Sequence, residues 1–412
     1  MDRVIITTGG TGGHIFPALS LAEEIRRRNP GAMVLFMGGQ YGLEADLAAK
    51  AGLDFAGLPV RGVMGRGFKG AAAALGMLRG IAEALRVIRK TKPEMVVGFG
   101  GYAAFAGVLA GRMRGLPTAI HEQNAFPGMS NRLLGRVADR IFLSMPIRDS
   151  VFDPARCVLV GNPVRAGIVA LHESLRARGE ADGARSCFGG VDAPSPFTGG
   201  GVQDDSADAA KDAAADGPCR LLVMGGSQGA KALNDGVLAS LGPLLEAGIV
   251  IRHQTGQADY ERVRAAYREA MAEHVRVEAF INDMPKAYAW ADLALCRAGA
   301  SSLAEITAAG LPAVLAPFPQ AAQDHQRHNA RFLEKVGAAL RVEQADFKRE
   351  PAVLTKALLS LVKDRERLAA MAEKSLALAK PYAARDLADG LEDLLEKRRA
   401  GDPGRTEKSH AK

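Results

Sequence analysis

Short, nearly continuous apolar runs recur along the chain, separated by stretches with helical spacing. In the first half they fall at residues 4–8, 33–37, 95–97, 118–121, 141–143 and 158–160. Runs without polar alternation are the pattern of parallel strands covered on both faces. After the first run, Leu19, Ala22 and Ile25 share one face of a helix predicted from Pro17 to about Arg28, with the proline at its first position. The second half repeats the plan, with runs at 221–224, 249–253, 275–280, 293–296 and 313–316. Each half opens with a strand that meets a glycine cluster and then a helix, which predicts two doubly wound α/β domains facing each other. Helical patterns at 354–378 and 387–398 close the chain. The expected boundaries are 1–160 for an N-terminal domain, 161–385 for a C-terminal domain and 386–399 for a last helix packing back on the first. Residues 171–218, rich in Gly, Ala, Ser and Asp, bury too little apolar surface to offset ordering entropy, so a disordered insertion is expected there. The tail 400–412 reads the same way.

Size and composition narrow this picture. A chain of 412 residues exceeds one ordinary core, and 48% hydrophobic with 24% charged residues is the balance of a soluble globular protein. No run reaches the roughly 18 apolar residues of a spanning helix. The start reads as a strand rather than a signal peptide. Cys157, Cys187, Cys219 and Cys296 show no metal or redox spacing and suit a reducing compartment, which points to the cytosol. A net charge of +7 favours an anionic partner, and 5% aromatics without a base-stacking motif places nucleic acid last.

The candidate chemistry sits at strand ends. Gly9-Gly10-Thr11-Gly12-Gly13-His14 follows the first run. Glycines let backbone approach a ligand, and helix-start amides favour negative charge. The spacing does not fit the dinucleotide pattern, and a tight strand-to-helix turn explains it as well. His14 suits either a helix-start hydrogen bond or catalysis. Gly225-Gly226-Ser227-Gln228-Gly229-Ala230 opens the second half in the same way, and Ser227 can offer hydroxyl and amide to a diphosphate. No Asp-x-Asp triplet is present as a diphosphate–metal handle. The stretch 98–102 suits either a diphosphate cup or close helix packing. His121-Glu122-Gln123-Asn124 puts four polar side chains at one strand end, with Glu122 a candidate general base and Asn124 a sugar partner. Arg165, closing Gly161-Asn162-Pro163-Val164-Arg165, can pair with phosphate. Glu305 in Arg297-Ala298-Gly299-Ala300-Ser301-Ser302-Leu303-Ala304-Glu305 can accept from ribose hydroxyls or complement the helix dipole. Gln326 and Asn329 share a face if 324–330 is helical.

Together these stretches resemble the MurG family, N-acetylglucosaminyltransferases that form lipid II in peptidoglycan synthesis. The resemblance rests on GGTGGHIFPAL, FGGYAAFAG, HEQNAFPGMSN, GNPVR, GGSQGA, CRAGASSLAEI and DHQRHNA, in that order across both halves. It implies a GT-B fold with an interdomain cleft and inverting transfer of N-acetylglucosamine from UDP-GlcNAc to undecaprenyl-diphosphoryl-N-acetylmuramoyl-pentapeptide, with no cofactor and no metal. It implies Thr11, Gly12, Gly13 and Asn124 near the donor sugar, Arg165 and Ser227 near the diphosphate, and Ile281 on the uracil. Ala300 falls in the substrate-binding set, Glu305 on the ribose and Gln326 on the sugar, with His14 and Glu122 at the catalytic positions. The place implied is peripheral, on the cytoplasmic face of the bacterial inner membrane, and other cell-wall synthesis proteins are partners to consider. The long insertion departs from the family's short connection.

A lipid-borne acceptor requires a membrane surface. Arg61, Arg66, Lys69 and Arg79 together with Phe68, Leu75, Met77 and Leu78 mix basic and apolar character, and each basic residue near an anionic leaflet gives ~1 kcal/mol. A glycine-rich loop before an ordinary core-facing helix explains the same residues. Rival readings are a glycerolipid glycosyltransferase, a UDP-sugar epimerase, a nicotinamide-dependent oxidoreductase and a non-catalytic lipid-surface module.

Overall fold

The computed structural model describes residues 1–10, 12–60, 68–147, 151–181, 217–226, 229–268 and 274–400, with backbone alone at 68–73 and 179–181. It contains two compact units, Met1–Ala166 with the chain's end from Lys380, and Gly167–Ala379.

The first unit runs β1 (Arg3–Thr7), α1 (Gly12–Arg28), β2 (Met33–Gly39), α2 (Glu44–Lys50), β3 (Asp54–Leu58), α3 (Phe68–Thr91), β4 (Met95–Gly98), α4 (Gly101–Met113), β5 (Thr118–Glu122), α5 (Met129–Leu134), β6 (Arg140–Leu143) and β7 (Cys157–Leu159). Its strands form one parallel sheet in the order β3-β2-β1-β4-β5-β6-β7, with Ile5 of β1 opposite Leu35 of β2 and Val96 of β4. Both faces are covered. Val4, Ile6, Phe36 and Val97 pack with Ile15, Leu21 and Ile25 of α1, while Ile5, Met37 and Ile120 pack with Ala84 and Ile88 of α3 and Val108 of α4. A side chain at Gly107 would lie 2.9 Å from Thr7, so the small residues of α4 let it press against the sheet.

A helix, α6 (Ala166–Ala181), leads into the second unit, and its His172 donates from Nδ1 to the Ala308 carbonyl at 2.9 Å. The order there is β8 (Arg220–Met224), α7 (Lys231–Ala239), α8 (Leu241–Glu246), β9 (Val250–Gln254), α9 (Tyr260–Arg268), β10 (Val275–Glu278), α10 (Met284–Trp290), β11 (Leu293–Cys296), α11 (Ala300–Ala308), β12 (Ala313–Leu315), α12 (His325–Val336), β13 (Ala339–Arg341), α13 (Gln344–Arg349), α14 (Ala352–Val362) and α15 (Arg365–Ala377). The parallel sheet runs β10-β9-β8-β11-β12-β13 around a core that includes Leu221, Val223, Ile251, Leu295 and Leu358.

The chain then returns to the first unit as α16 (Ala383–Ala400). Leu387, Ala388, Leu391 and Leu395 join the α1 side of that core, and Arg28 pairs with Asp389 at 2.6 Å and Glu392 at 3.0 Å.

The structure corrects several expectations. The first helix starts at Gly12, not Pro17, so the proline lies inside it. Residues 171–181, expected as disordered, are helical in α6, while 182–216 and the tail lie outside the described residues. The pattern at 354–378 is two helices, broken where Asp364 caps α15 by accepting from the Arg367 amide at 2.9 Å. β3 and β13 carry no apolar run in the sequence: β3, an edge strand, sets Asp54, Ala56 and Gly57 among Phe55 and Leu58, and β13, at the other sheet's edge, ends on Arg341.

Candidate functional site

In each sheet the strand order reverses at the first strand, and open α/β sheets bind ligands in the crevice beyond the strand ends at such a point. In the first unit the reversal lies between β1 and β4. Their following loops are stitched together: the Gly9 amide donates to the Gly100 carbonyl at 3.1 Å, and Phe99 to Thr7 at 2.9 Å. Gly101, at φ +82°, allows this approach, because a Cβ there would sit 2.3 Å from the Gly9 carbonyl oxygen. Gly100 (φ +92°) gives room to the His14 ring, 3.2 Å from where its Cβ would be.

A chain of hydrogen bonds runs from that ring into the core. His14 Nδ1 meets Gln123 Oε1 at 2.9 Å, Gln123 Nε2 lies 3.1 Å from His121 Nδ1, and His121 Nε2 lies 2.9 Å from the Gly161 carbonyl. Gln123 Nε2 also donates to the Phe99 carbonyl at 3.1 Å, which fixes which end of the amide is the donor. His121 is wholly buried. Desolvation drives its pKa down to about 4, against the opposing pull of the Gly161 carbonyl, so the ring is neutral at physiological pH.

Glu122, next in sequence, points the other way along the strand. Its Oε1 accepts from the Asn124 amide at 2.9 Å and side chain at 3.2 Å, and its Oε2 accepts from Gly128 N at 3.1 Å and Asn131 Nδ2 at 2.9 Å. A carboxylate offers about four acceptor directions, and here each has a donor from the loop. The candidate base is therefore the buried anchor of the 124–131 loop. Asn124 is held by that anchor at the strand end. Gly12 and Gly13 form the first turn of α1 beside His14, and Thr11 lies outside the described residues. The Gly10 amide donates to Glu44 Oε1 of α2 at 3.0 Å.

In the second unit the reversal lies between β8 and β11. Gly226 and Gly229 take φ of +85° and +77°, and a Cβ at Gly229 would strike the Thr255 carbonyl at 2.3 Å. Gln254 ties this loop to the next by donating to the Gly226 carbonyl at 3.0 Å and accepting from the Ile281 amide at 3.4 Å. Ile281 is itself fully buried, and Ser227 lies outside the described residues. Beyond β11, Ala300 begins α11, and Glu305 one turn on accepts from the Tyr288 hydroxyl at 3.0 Å. Gln326, in the first turn of α12, accepts from the Phe318 amide at 3.0 Å. Asn329 is buried and holds the Ala298 carbonyl at 3.1 Å. Arg165 lies in the connection after β7, at the end of the first unit's main stretch rather than within the expected C-terminal domain.

Within the first unit the structure thus gathers Gly12, Gly13, His14, Glu122 and Asn124; within the second, Ala300, Glu305 and Gln326 lie on the loops and helix starts beyond β11 and β12. Four further residues, given no role of their own by the sequence, shape the site: Arg297, Glu44, His121 and Gln123. Arg297 donates to the Ala316 carbonyl at 2.9 Å and to Gln344 at 2.6 Å and lies over the Phe318 ring; burial lowers its pKa to about 10. Glu44 left no signal, being 34 positions from its partner Gly10 on another helix. His121 and Gln123 did leave one, because alternation along a strand places both on the His14 side.

Comparisons with known proteins bear out the fold of two parallel-sheet α/β units. The glycosyltransferase family 28 N-terminal domain matches residues 4–143, and the family 28 C-terminal domain matches 220–389. A relative in Nitratidesulfovibrio vulgaris, named UDP-N-acetylglucosamine--N-acetylmuramyl-(pentapeptide) pyrophosphoryl-undecaprenol N-acetylglucosamine transferase, is 53% identical over 97% of this chain and 99% of its own. The crystal structure of Acinetobacter baumannii MurG is 32% identical, with a TM-score of 0.74 over 95% of this chain and 100% of its own. A Neisseria meningitidis UDP-GlcNAc 2-epimerase bound to UDP-GlcNAc reaches a TM-score of 0.60 at 13% identity over 95% of this chain and 100% of its own, a likeness of fold alone. Family models covering both units, together with this full-length identity, make the chain a member of the MurG family of glycosyltransferases.

Proposed function

We propose that this protein transfers N-acetylglucosamine from UDP-GlcNAc to the C4 hydroxyl of an undecaprenyl-diphosphoryl-N-acetylmuramoyl-pentapeptide, with inversion. The observation that carries the reading is the 53% identity, over 97% of the chain, to a transferase named for that donor and acceptor. The acceptor oxygen bonds to the anomeric carbon of the donor as the bond to the UDP β-phosphate oxygen breaks, and UDP leaves. The hydroxyl proton passes to His14, a step that contributes ~10²–10⁴-fold when the base is well placed. His14 takes this role in preference to Glu122, whose oxygens hold the 124–131 loop.

The first unit supplies the base and the acceptor side, with Thr11, Gly12, Gly13 and Asn124 close to the transferred sugar. The second supplies the donor side: Ile281 meets uracil through its backbone, Glu305 the ribose, Gln326 the sugar, and Ala300 the ligand at the start of α11. Tyr288 aims Glu305 by donating to one of its oxygens. Ser227 and Arg165 meet the diphosphate, where fixed donors stabilise the leaving charge.

The acceptor's lipid places the enzyme on a membrane surface, the cytoplasmic face of the inner membrane. Among the described residues no helix is long and apolar enough to cross a membrane. On α3, Leu75 and Leu78 are 49% and 65% exposed beside Arg79, whereas Ala84 and Ile88 of the same helix are buried. Arg61 and Arg66 lie outside the described residues, as do the side chains of Phe68 and Lys69. Removing the apolar pair with Leu75→Ser and Leu78→Ser reduces sedimentation with anionic liposomes; unchanged sedimentation rejects this patch. The activity itself is tested by UDP release with a soluble acceptor analogue. Turnover with UDP-GlcNAc well above UDP-GalNAc and UDP-glucose supports the assignment, and equal turnover with all three refutes the donor.

A further inference from the structure

We propose that Gln123, locked in place by the buried His121, is a positioning residue that holds His14 in the tautomer with its proton on Nδ1, so that Nε2 is the atom that receives the acceptor's proton.

The donor and acceptor roles are fixed outward from the core, one bond at a time. The Gly161 carbonyl only accepts, so His121 Nε2, 2.9 Å away, carries a hydrogen. A neutral imidazole has one N–H, so His121 Nδ1 is an acceptor, and Gln123 Nε2 at 3.1 Å supplies its donor. The Phe99 carbonyl, 3.1 Å from the same nitrogen, demands a donor as well. Both contacts turn Gln123 Oε1 toward His14 Nδ1, 2.9 Å off, and an amide oxygen only accepts. His14 Nδ1 therefore bears the hydrogen, and the neutral ring keeps its lone pair on Nε2. The order matters because free imidazole side chains in water favour the opposite tautomer, with the proton on Nε2. His121 and Gln123 are each no more than 1% exposed, so water does not compete for these bonds. A glutamine in this position sets the tautomer without adding charge, whereas a carboxylate would also favour the charged imidazolium.

This inference rests on His14 as the base, and the test separates the two. The full-length protein is labelled with ¹⁵N-histidine and observed at about pH 8, where ordinary imidazoles are neutral. The His14 signals are those missing from His14→Gln. The expected result is a proton on His14 Nδ1 in the unaltered protein. In Gln123→Met, which keeps length but removes both hydrogen-bonding ends, the population moves toward Nε2–H. There kcat falls about 10- to 100-fold, part of what a general base contributes, while the KM for UDP-GlcNAc stays within about twofold. The unaltered protein needs no variant to fold, so a His14 that carries its proton on Nε2 there overturns the proposal outright. A folded Gln123→Met that keeps both tautomer and kcat does the same. If His14→Gln retains full kcat, the base role falls, and the tautomer measurement still reports whether Gln123 sets the ring.

Discussion

Glu122 and Gln123 are adjacent in sequence and have opposite duties, because successive residues at a strand end face opposite ways. Gln123 turns toward His14, and Glu122 toward the loop it anchors. The consequences differ in kind. His14→Gln lowers kcat by ~10²–10⁴-fold and leaves donor KM little changed, as steady-state kinetics will show. Glu122→Gln places an amide against donors that need an acceptor; it costs about 1–3 kcal/mol, read as a lower unfolding midpoint. Glu305→Ala removes a carboxylate acceptor worth about 1.5–3 kcal/mol and raises the KM for UDP-GlcNAc roughly 10- to 100-fold, with a smaller effect on kcat. The sequence made His14, Glu122 and Glu305 legible as strand-end and helix-start polar residues. It did not show which carboxylate is an anchor, because Gly128 and Asn131 become donors only once the loop folds back, nor that Glu44 holds Gly10 from a separate helix.

Among elements, the central strands were legible because burial on both faces leaves a continuous apolar run, as in Val34, Leu35, Phe36 and Met37 of β2. The edge strand β3 escaped because half-covered strands need no such run. The start of α1 escaped for another reason. Glycines and an internal proline argue against helix, yet Pro17 fits because the helix is packed by Ile15, Ala18 and Leu21 against the sheet. Tight packing also governs α16, where a Cβ at Gly390 would lie 2.5 Å from the Phe142 ring of β6. Gly390→Val therefore overpacks that contact and destabilises the first unit by about 1–3 kcal/mol. Urea unfolding measures the loss, which the second unit does not share.

Across the whole molecule, the twofold repeat of strand, glycine loop and helix in the sequence corresponds to two sheets, each with its polar loops at the reversal of strand order. Two of the buried histidines, His121 and His253, give the molecule a common response to acid. Burial lowers His121 to about 4 and His253 to about 3, while both take up protons near 6.5 when unfolded. The unfolded chain then binds more protons than the folded one between these values. Their contribution to stability is fully present above pH 6.5 and is lost as the pH drops through that value toward 4. Denaturant midpoints at successive pH values follow this fall, and a flat profile between 6.5 and 4.5 contradicts it. The proposed activity makes one glycosidic bond. Incubating the protein with UDP-GlcNAc and a lipid-linked N-acetylmuramoyl-pentapeptide, then determining the product by mass and NMR, tests it directly. The expected product carries one added N-acetylhexosamine in a β-1,4 linkage, together with free UDP. Release of UDP without a disaccharide, or an α linkage, would contradict it.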